Sequence, residues 1–311
     1  DLALDAGDEA IRSKDEIATP ACRNPNFPDA LTEHFGVQAR SLQSLAMTNK
    51  IMVHPKEGRK DSASMIDYFR TELLLTEAER LYRDRIRKFV DEECLPLIAD
   101  HFDKGVFPMD LVRRMAEMGL FGLHVDGYGC QKMSHTIYGL ICQELGRCDS
   151  GLRAMFSVQN SLVMYPIYTF GSEEQKKRWL PKMARGEAIG CFGLSEPDFG
   201  SNPSGMATRA ERNQEGYRLN GTKMWITNGS IAHVALVWAK MDGEIRGFLV
   251  EAGTPGFQST LIQRKFSYRT SPTSLLVLKD CVIPEGNLLP EAKGLKAVLQ
   301  CLNYARFGVA C

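Results

Sequence analysis

The 311-residue chain lacks an excess of either charge: 38 Lys and Arg balance 38 Asp and Glu. No global field therefore draws it to nucleic acid or to an anionic membrane, and any anion needs a local site. It also lacks a Cys-x-x-Cys pair and clustered histidines, and its nine cysteines, at positions 22, 94, 130, 142, 148, 191, 281, 301 and 311, are dispersed. That excludes the common zinc and redox-motif readings, and no metal is expected. Several cysteines lie in apolar runs such as Gly190-Cys191-Phe192, where a thiol packs as a small hydrophobe, which fits a reducing compartment: cytoplasm in a bacterium, mitochondrial matrix in a eukaryote. No apolar stretch approaches the roughly 18 residues of a membrane span, and the first residues have no signal-peptide core. A Gly-x-Gly-x-x-Gly turn and a βαβ alternation are missing too, which removes a Rossmann site.

What is present divides by period. Residues 1–64 are interrupted by Pro20, Pro25, Pro28 and Pro55 and read as a loosely ordered extension, with room for a short amphipathic helix at 38–47. The chain opens on Asp1, so a processed or partial chain is expected. From Thr76 the pattern is helical: Thr76-x-x-Glu79 is a capping box, Leu81, Ile86, Phe89 and Val90 form a face, and Pro96 is the stop. Further helices are predicted at 108–118, 134–147 and 151–169, and from the box Ser172-x-x-Gln175 to just before Gly186. After Gly190 the period drops to two, with strands at 234–239, 247–250 and 275–278 and a hairpin at Asp242-Gly243. The prediction is an α+β fold: an N-terminal helical domain (65–188), an antiparallel, β-barrel-like middle domain (189–290), and at 291–311 the start of another helical domain that breaks off in mid-pattern.

The informative stretch is 190–228. A short buried strand at 191–194 runs into Pro197, Gly200 and Pro203, which forbid regular pairing, so a loop rich in hydroxyl and backbone donors follows. Asn220-Gly221 predicts a type I′ turn, and counting by two then puts Trp225 and Thr227 on one face with Ser195 nearby. Physically this fits two readings. Trp225 is core and the serines only make turns, or an apolar ring and flanking donors receive a flavin. Spacing alone does not choose.

The runs Phe192-x-x-Ser195-Glu196-Pro197-x-x-Gly200-Ser201 and Trp225-Ile226-Thr227-Asn228 resemble the flavin signatures of the acyl-CoA dehydrogenases. The resemblance extends from about residue 67 to 311. Within it Asp149-Ser-Gly-Leu-Arg153, Gly171-Ser-Glu-Glu-Gln, Lys265-Phe-Ser-Tyr-Arg269 and Asn303-Tyr-Ala-Arg-Phe-Gly308 are similar to the glutaryl-CoA dehydrogenase branch. It implies FAD as cofactor. Backbone near Phe192 and Leu194, the Ser195 hydroxyl and the Gly200-Ser201 turn would meet it, Trp225 with Ile226 would pack on the ring, and Thr227 would lie near N5. Ser201 would also meet the pantetheine arm of an acyl-CoA. Arg153 would hold the distal carboxylate of a glutaryl group, with Ala154 standing where that branch usually has a serine. Phe266, Ser267, Arg269 and Thr273 would form the second substrate-contacting stretch.

The resemblance places the proton-abstracting glutamate in a third helical domain beyond Cys311, so no catalytic residue is assigned here, and Glu196 is assigned to structure. It further implies an electron-transfer flavoprotein as partner, a homotetramer when full length, and α,β-dehydrogenation of a thioester with decarboxylation to crotonyl-CoA. The alternative is a catalytically incomplete fragment, or a flavin- or acyl-CoA-binding module.

Overall fold

The computed structural model describes residues 71–311. The predicted extension at 1–64 and helix at 38–47 lie outside the described residues. Helix α1 (Glu77–Phe89) opens on the capping box: the Thr76 hydroxyl accepts from Glu79 N at 3.3 Å, and the Glu79 carboxylate accepts from Thr76 N at 2.9 Å. Ile86 and Phe89 are buried, but Leu81 is 65% exposed and does not share their face. Five residues before Ile86, it sits about 140° further round the helix.

Pro96 does not stop the helix as predicted. A π-helical turn (Val90–Cys94) follows α1, and α2 (Leu95–Lys104) continues from it, ending at Gly105 in the left-handed region. The widened turn puts Pro96 in the first turn of the next α-helical stretch, where its missing N–H is needed least. The same arrangement recurs where α5 (Ser150–Ser157) passes through a π turn (Val158–Met164) into α6 (Tyr165–Phe170), carrying Pro166. Between these pairs lie α3 (Asp110–Glu117) and α4 (His135–Cys148), and α7 (Glu173–Ala184) follows with its own Ser172/Gln175 capping box. The second π turn aims two amides into the core. Asn160 accepts from the N–H groups of Gly122 and Leu123 and donates to the carbonyls of Leu120 and Phe156, so all its bonds are made.

The strands are β1 (Gly190–Gly193), β2 (Arg209–Asn213), β3 (Gly216–Ile226), β4 (Val234–Met241), β5 (Glu244–Glu251), β6 (Phe257–Leu261), β7 (Ser274–Ile283) and β8 (Leu288–Lys293), after which α8 (Gly294–Ala310) resumes the helical pattern. They form one mostly antiparallel sheet in the order β6-β7-β3-β2-β4-β5-β8, with β1 parallel to β4. β4 is buried along most of its length because it serves two cores. Val234, Leu236 and Trp238 face the helices, and Ala235, Val237 and Ala239 face the inside of the sheet. The sheet is strongly curled: Tyr217 on β3 meets Phe248 on β5 with ring centroids 5.4 Å apart, though flat strands three places apart would be separated by about 14 Å. Among the described residues no helix is long and apolar enough to cross a membrane.

The predicted turn at Asn220-Gly221 is not a turn. β3 runs straight through it, and the chain reverses earlier, between Asn213 and Gly216, with Asn213 Oδ1 accepting from Glu215 N at 3.0 Å. The Asn-Gly pair instead faces a bulge in β7: pairing steps from Leu219↔Cys281 to Gly221↔Leu278, one residue longer on β7. Asn220 Oδ1 accepts the N–H of Asp280 at 2.8 Å, which satisfies a donor the bulge leaves unpaired. Gly221 has φ +154°, and a Cβ there would overlap the Thr208 hydroxyl and come within 2.7 Å of the Thr208 Cα. The hairpin signal was a bulge signal. Gly221→Ala is accordingly expected to lower stability by about 1–3 kcal/mol, read as a lower urea midpoint at unchanged slope; a variant as stable as its parent would refute the close approach.

Candidate functional site

Past β1 the chain makes a loop, and two buried charges close it. The Glu196 carboxylate turns inward and accepts from Ala207 N (2.6 Å), Thr208 N (3.0 Å) and Lys223 Nζ (2.8 Å). Lys223 also donates to the Leu194 carbonyl at 3.1 Å, so one side chain on β3 grips the loop's start directly and its end through Glu196. Both side chains are buried. Burial pushes the Lys223 ammonium down to about 8 against the pull of Glu196. Burial raises Glu196, but the bonds from Lys223, Thr208 and Ala207 outweigh it and hold the carboxyl below its usual range. With both oxygens engaged, Glu196 is an anchor. Lys223 was missed from sequence, yet a signal existed: it is in phase with the buried Tyr217 and Leu219, so alternation already put a charge in the core.

The anchored loop presents Ser195, whose carbonyl accepts from Met224 N at 2.8 Å, next to the end of β3. Phe192 and Leu194 are buried, Phe192 paired with β4 and the Leu194 carbonyl bonded to Lys223, and Gly200 and Ser201 are exposed; none of the four lines the cleft to which Trp225 contributes one wall. That wall depends on a second bulge. Pairing steps from Lys223↔Leu276 to Ile226↔Ser274, one residue longer on β3, and Trp225 takes φ +64°. Plain alternation is therefore not what sets Trp225: the bulge turns its indole outward, 58% exposed, while Ile226 returns to the core. Trp225 and Thr227 line the same cleft, of about 470 Å³, within the roughly 300–1,000 Å³ of small-molecule sites.

The loop between β6 and β7 forms the other wall. Phe266, Ser267 and Thr273 line the cleft, as does Tyr268, which sequence reasoning did not single out. Arg153, on α5, reaches this wall and donates from Nη2 to the Tyr268 hydroxyl at 2.6 Å. Ala154 is buried and brings no polar group. Arg269, expected at the substrate, is occupied elsewhere. Its guanidinium donates to the carbonyls of Phe102 (2.9 Å) and Asp103 (2.7 Å) at the end of α2 and stacks over the Phe102 ring. A helix C-terminus exposes unpaired carbonyls with partial negative charge, and an arginine satisfies them.

An exposed indole in a cleft, a neighbouring threonine hydroxyl and a loop of backbone donors fit a flat, part-polar ring such as a flavin; among the described residues no group of three or more His, Cys, Asp and Glu could hold a metal ion.

Comparison with known proteins gives the family. The family description "Acyl-CoA dehydrogenase, N-terminal domain" matches residues 76–187, and "Acyl-CoA dehydrogenase, middle domain" matches residues 191–281. The mitochondrial short-chain specific acyl-CoA dehydrogenase of Rattus norvegicus is 35% identical over 246 residues, which cover 76% of this chain and 59% of that protein. The crystal structure of a glutaryl-CoA dehydrogenase from Mycobacterium smegmatis in complex with FADH2 superposes with a TM-score of 0.76 at 52% identity, covering 78% of this chain and 62% of that one. A glutaryl-coenzyme A dehydrogenase in its glutaryl-CoA complex superposes at 0.72 with 30% identity, over 76% of this chain and 62% of that one. The chain thus spans about three fifths of the length of the relatives it matches.

The anchoring pair makes a pH-dependent prediction. The ordinary lysine value is 10.5 and the folded value about 8. Below about 8 the ammonium is charged in both states, and above 10.5 it is neutral in both. Between them the unfolded chain binds more protons, so this group's contribution to stability rises with pH across that window. Glu196→Gln strands a buried ammonium and is expected to cost about 3–5 kcal/mol at pH 7, with the loss shrinking by pH 10. Denaturant unfolding at both pH values tests this, and an equal loss at each would show that the charge of Glu196 is not what matters.

Proposed function

Because the chain belongs to the acyl-CoA dehydrogenase family, with that family's N-terminal and middle domains, we propose that it is the flavin- and thioester-binding part of an FAD-dependent dehydrogenase acting on a dicarboxylyl-CoA of the glutaryl type. The observation behind this reading is that Arg153 reaches, through Tyr268, the wall of a cleft whose opposite side carries the exposed Trp225. A cation at the rim of an aromatic-lined cleft recognises a ligand with an apolar body and a terminal carboxylate, and arginine makes that pairing best.

In this reading the backbone at Phe192 and Leu194, the Ser195 hydroxyl, the Gly200-Ser201 turn, Trp225 with Ile226, and Thr227 hold FAD. Trp225 excludes water from one face of the ring system. When bound, FAD supplies the acceptor for the β-hydrogen, taken as hydride. Phe266, Ser267 and Thr273 flank the thioester, Ser201 meets its pantetheine arm, and Arg153 orients it by the distal carboxylate. The α-proton requires a carboxylate in a dry pocket. Glu196 is committed to Lys223 and two backbone donors, and the resemblance to the family places the base in the part of the family's length that this chain does not span. The distal carboxyl group of the enoyl product then leaves as carbon dioxide, and the dienolate left behind takes up a proton at its γ-carbon to give crotonyl-CoA. An electron-transfer flavoprotein as electron acceptor, a homotetrameric full-length enzyme, and a bacterial cytoplasm or mitochondrial matrix complete the proposal; the thiols recorded among the described residues are all free, which is compatible with such a compartment.

Full-length protein is expected to turn over glutaryl-CoA in preference to butyryl-CoA, and Arg153→Ala to cut kcat/KM for glutaryl-CoA by about 10²-fold, far more than for butyryl-CoA. Dye-coupled assays with both thioesters test it. Equal loss on the two substrates would remove the carboxylate role, and absence of flavin or of any turnover would favour a binding module.

A further inference from the structure

Arg153 is half-buried, and among the described residues no carboxylate lies within ion-pair distance of it; its hydrogen-bond partner is the neutral phenol of Tyr268. A guanidinium taken partly out of water without an anion is an incomplete site. The phenol is incomplete as well. Its oxygen accepts from Arg153, and among the described residues its own proton has no acceptor.

Tyr268 is held in this position against its own backbone preference. It takes φ +55°, and Trp225 (φ +64°) and Arg264 (φ +56°) do the same on the lining of the same cleft. Non-glycine residues in that region are costly and persist where their surroundings over-determine them. The surroundings here are explicit. Arg269 ties the next residue to the end of α2. The Thr270 hydroxyl donates to Asp149, whose same oxygen caps the N-terminus of α5, the helix carrying Arg153. Lys265 closes the loop by donating to the Ser271 carbonyl at 2.7 Å, and Ser271 N donates back to the Tyr268 carbonyl at 3.1 Å. Arginine and phenol are thus fixed relative to each other through Asp149.

We infer that Tyr268 is a specificity-determining residue, whose hydroxyl joins Arg153 in a two-point clamp for the distal carboxylate of an acyl thioester. This rests on the function proposed above and deepens it. The carboxylate would accept one bond from the guanidinium and one from the phenol, which supplies the hydroxyl donor that Ala154 cannot. A thioester ending in methyl leaves both donors facing an apolar group, and a site built to make hydrogen bonds discriminates strongly against such a ligand. Tyr268 acts on binding and takes no part in the bond-making steps.

The test uses full-length protein with FAD bound. It compares kcat and KM for glutaryl-CoA and butyryl-CoA in the parent, Tyr268→Phe and Arg153→Ala, with equilibrium binding of both thioesters followed by flavin absorbance as a measure independent of turnover. Tyr268→Phe keeps the ring and removes the donor. It is expected to lower the glutaryl-to-butyryl ratio of kcat/KM by about tenfold to a hundredfold, through KM, with melting temperature and flavin content unchanged. If Arg153→Ala collapses the ratio and Tyr268→Phe leaves it intact, the phenol has no part in selection and this inference is overturned while the carboxylate reading stands. If Arg153→Ala also leaves the ratio intact, the carboxylate reading itself fails.

Discussion

The ammonium of Lys223 and the carboxylate of Glu196 meet inside the sheet, and the rest of the cleft is built outward from that contact. A buried ion pair gains little net stability, because desolvation offsets most of the attraction. Its effect here is positional. Exchanged for two well-packed apolar side chains, the pair would leave Thr208 N and the Leu194 carbonyl without partners in the interior, and Ala207 N would lose its acceptor at the surface. The loop between β1 and β2 would then have to open to water to satisfy them. With the pair in place, the loop residue Ser195 is held against the end of β3, one residue before the outward-turned Trp225, by the Met224–Ser195 backbone bond.

A second set of buried polar contacts joins the helices to the sheet at the same end of the molecule. Gln159, in the π turn after α5, donates to the Ala188 carbonyl and accepts from Gly190 N, both at 2.9 Å, so it carries the helical layer onto the first residue of β1. Asn228, at the far end of the stretch, donates to the Gly190 carbonyl at 3.2 Å. A side-chain amide can bridge two backbones in this way only if it points directly between them, and a π turn, with its displaced side chains, aims a residue where an α turn would not. The two π turns therefore have a common use. They let the helices carry Pro96 and Pro166, and the second brings Gln159 and Asn160 into register with the strands.

Capping boxes and the order of helices and strands were legible because they are local: Thr76 with Glu79, and Ser172 with Gln175, need only four residues to be recognised. So was the hairpin at Asp242-Gly243, where both residues take positive φ between two paired strands. Asn220-Gly221 has the same chemistry and a different fate, because the partner that decides it, the bulge at Asp280, lies sixty residues downstream. Pro96 was misjudged for a related reason: a proline stops an α turn, and nothing local announces that the preceding turn is π. Trp225 and Thr227 line one cleft, as counting by two predicts for a shared face, but a bulge and not alternation turns the indole outward. Arg269 misled through its charge. Its partners are carbonyls of a helix more than 160 residues earlier, a contact that no spacing rule contains.

Strain gives the clearest separation between what folding requires and what the cleft requires. Some of the positive-φ residues outside the cleft have a local reason: Asp242 makes a hairpin turn and Asp280 a bulge. On the cleft, Trp225 takes its positive φ in the β3 bulge, whereas Arg264 and Tyr268 lie in the loop between β6 and β7, outside any strand pairing. A left-handed non-glycine residue costs roughly 1–2 kcal/mol, so three of them on one cleft are a load the fold has to offset elsewhere. Bonds that cross between elements lie next to these residues: Lys223, two residues before Trp225, holds the loop at Leu194 and Glu196, and Arg269, Thr270 and Lys265 make the contacts around Tyr268. Strain of this kind is kept where geometry matters more than stability, and here it is kept on both walls of one cleft, one of which holds Arg153 through the Tyr268 hydroxyl.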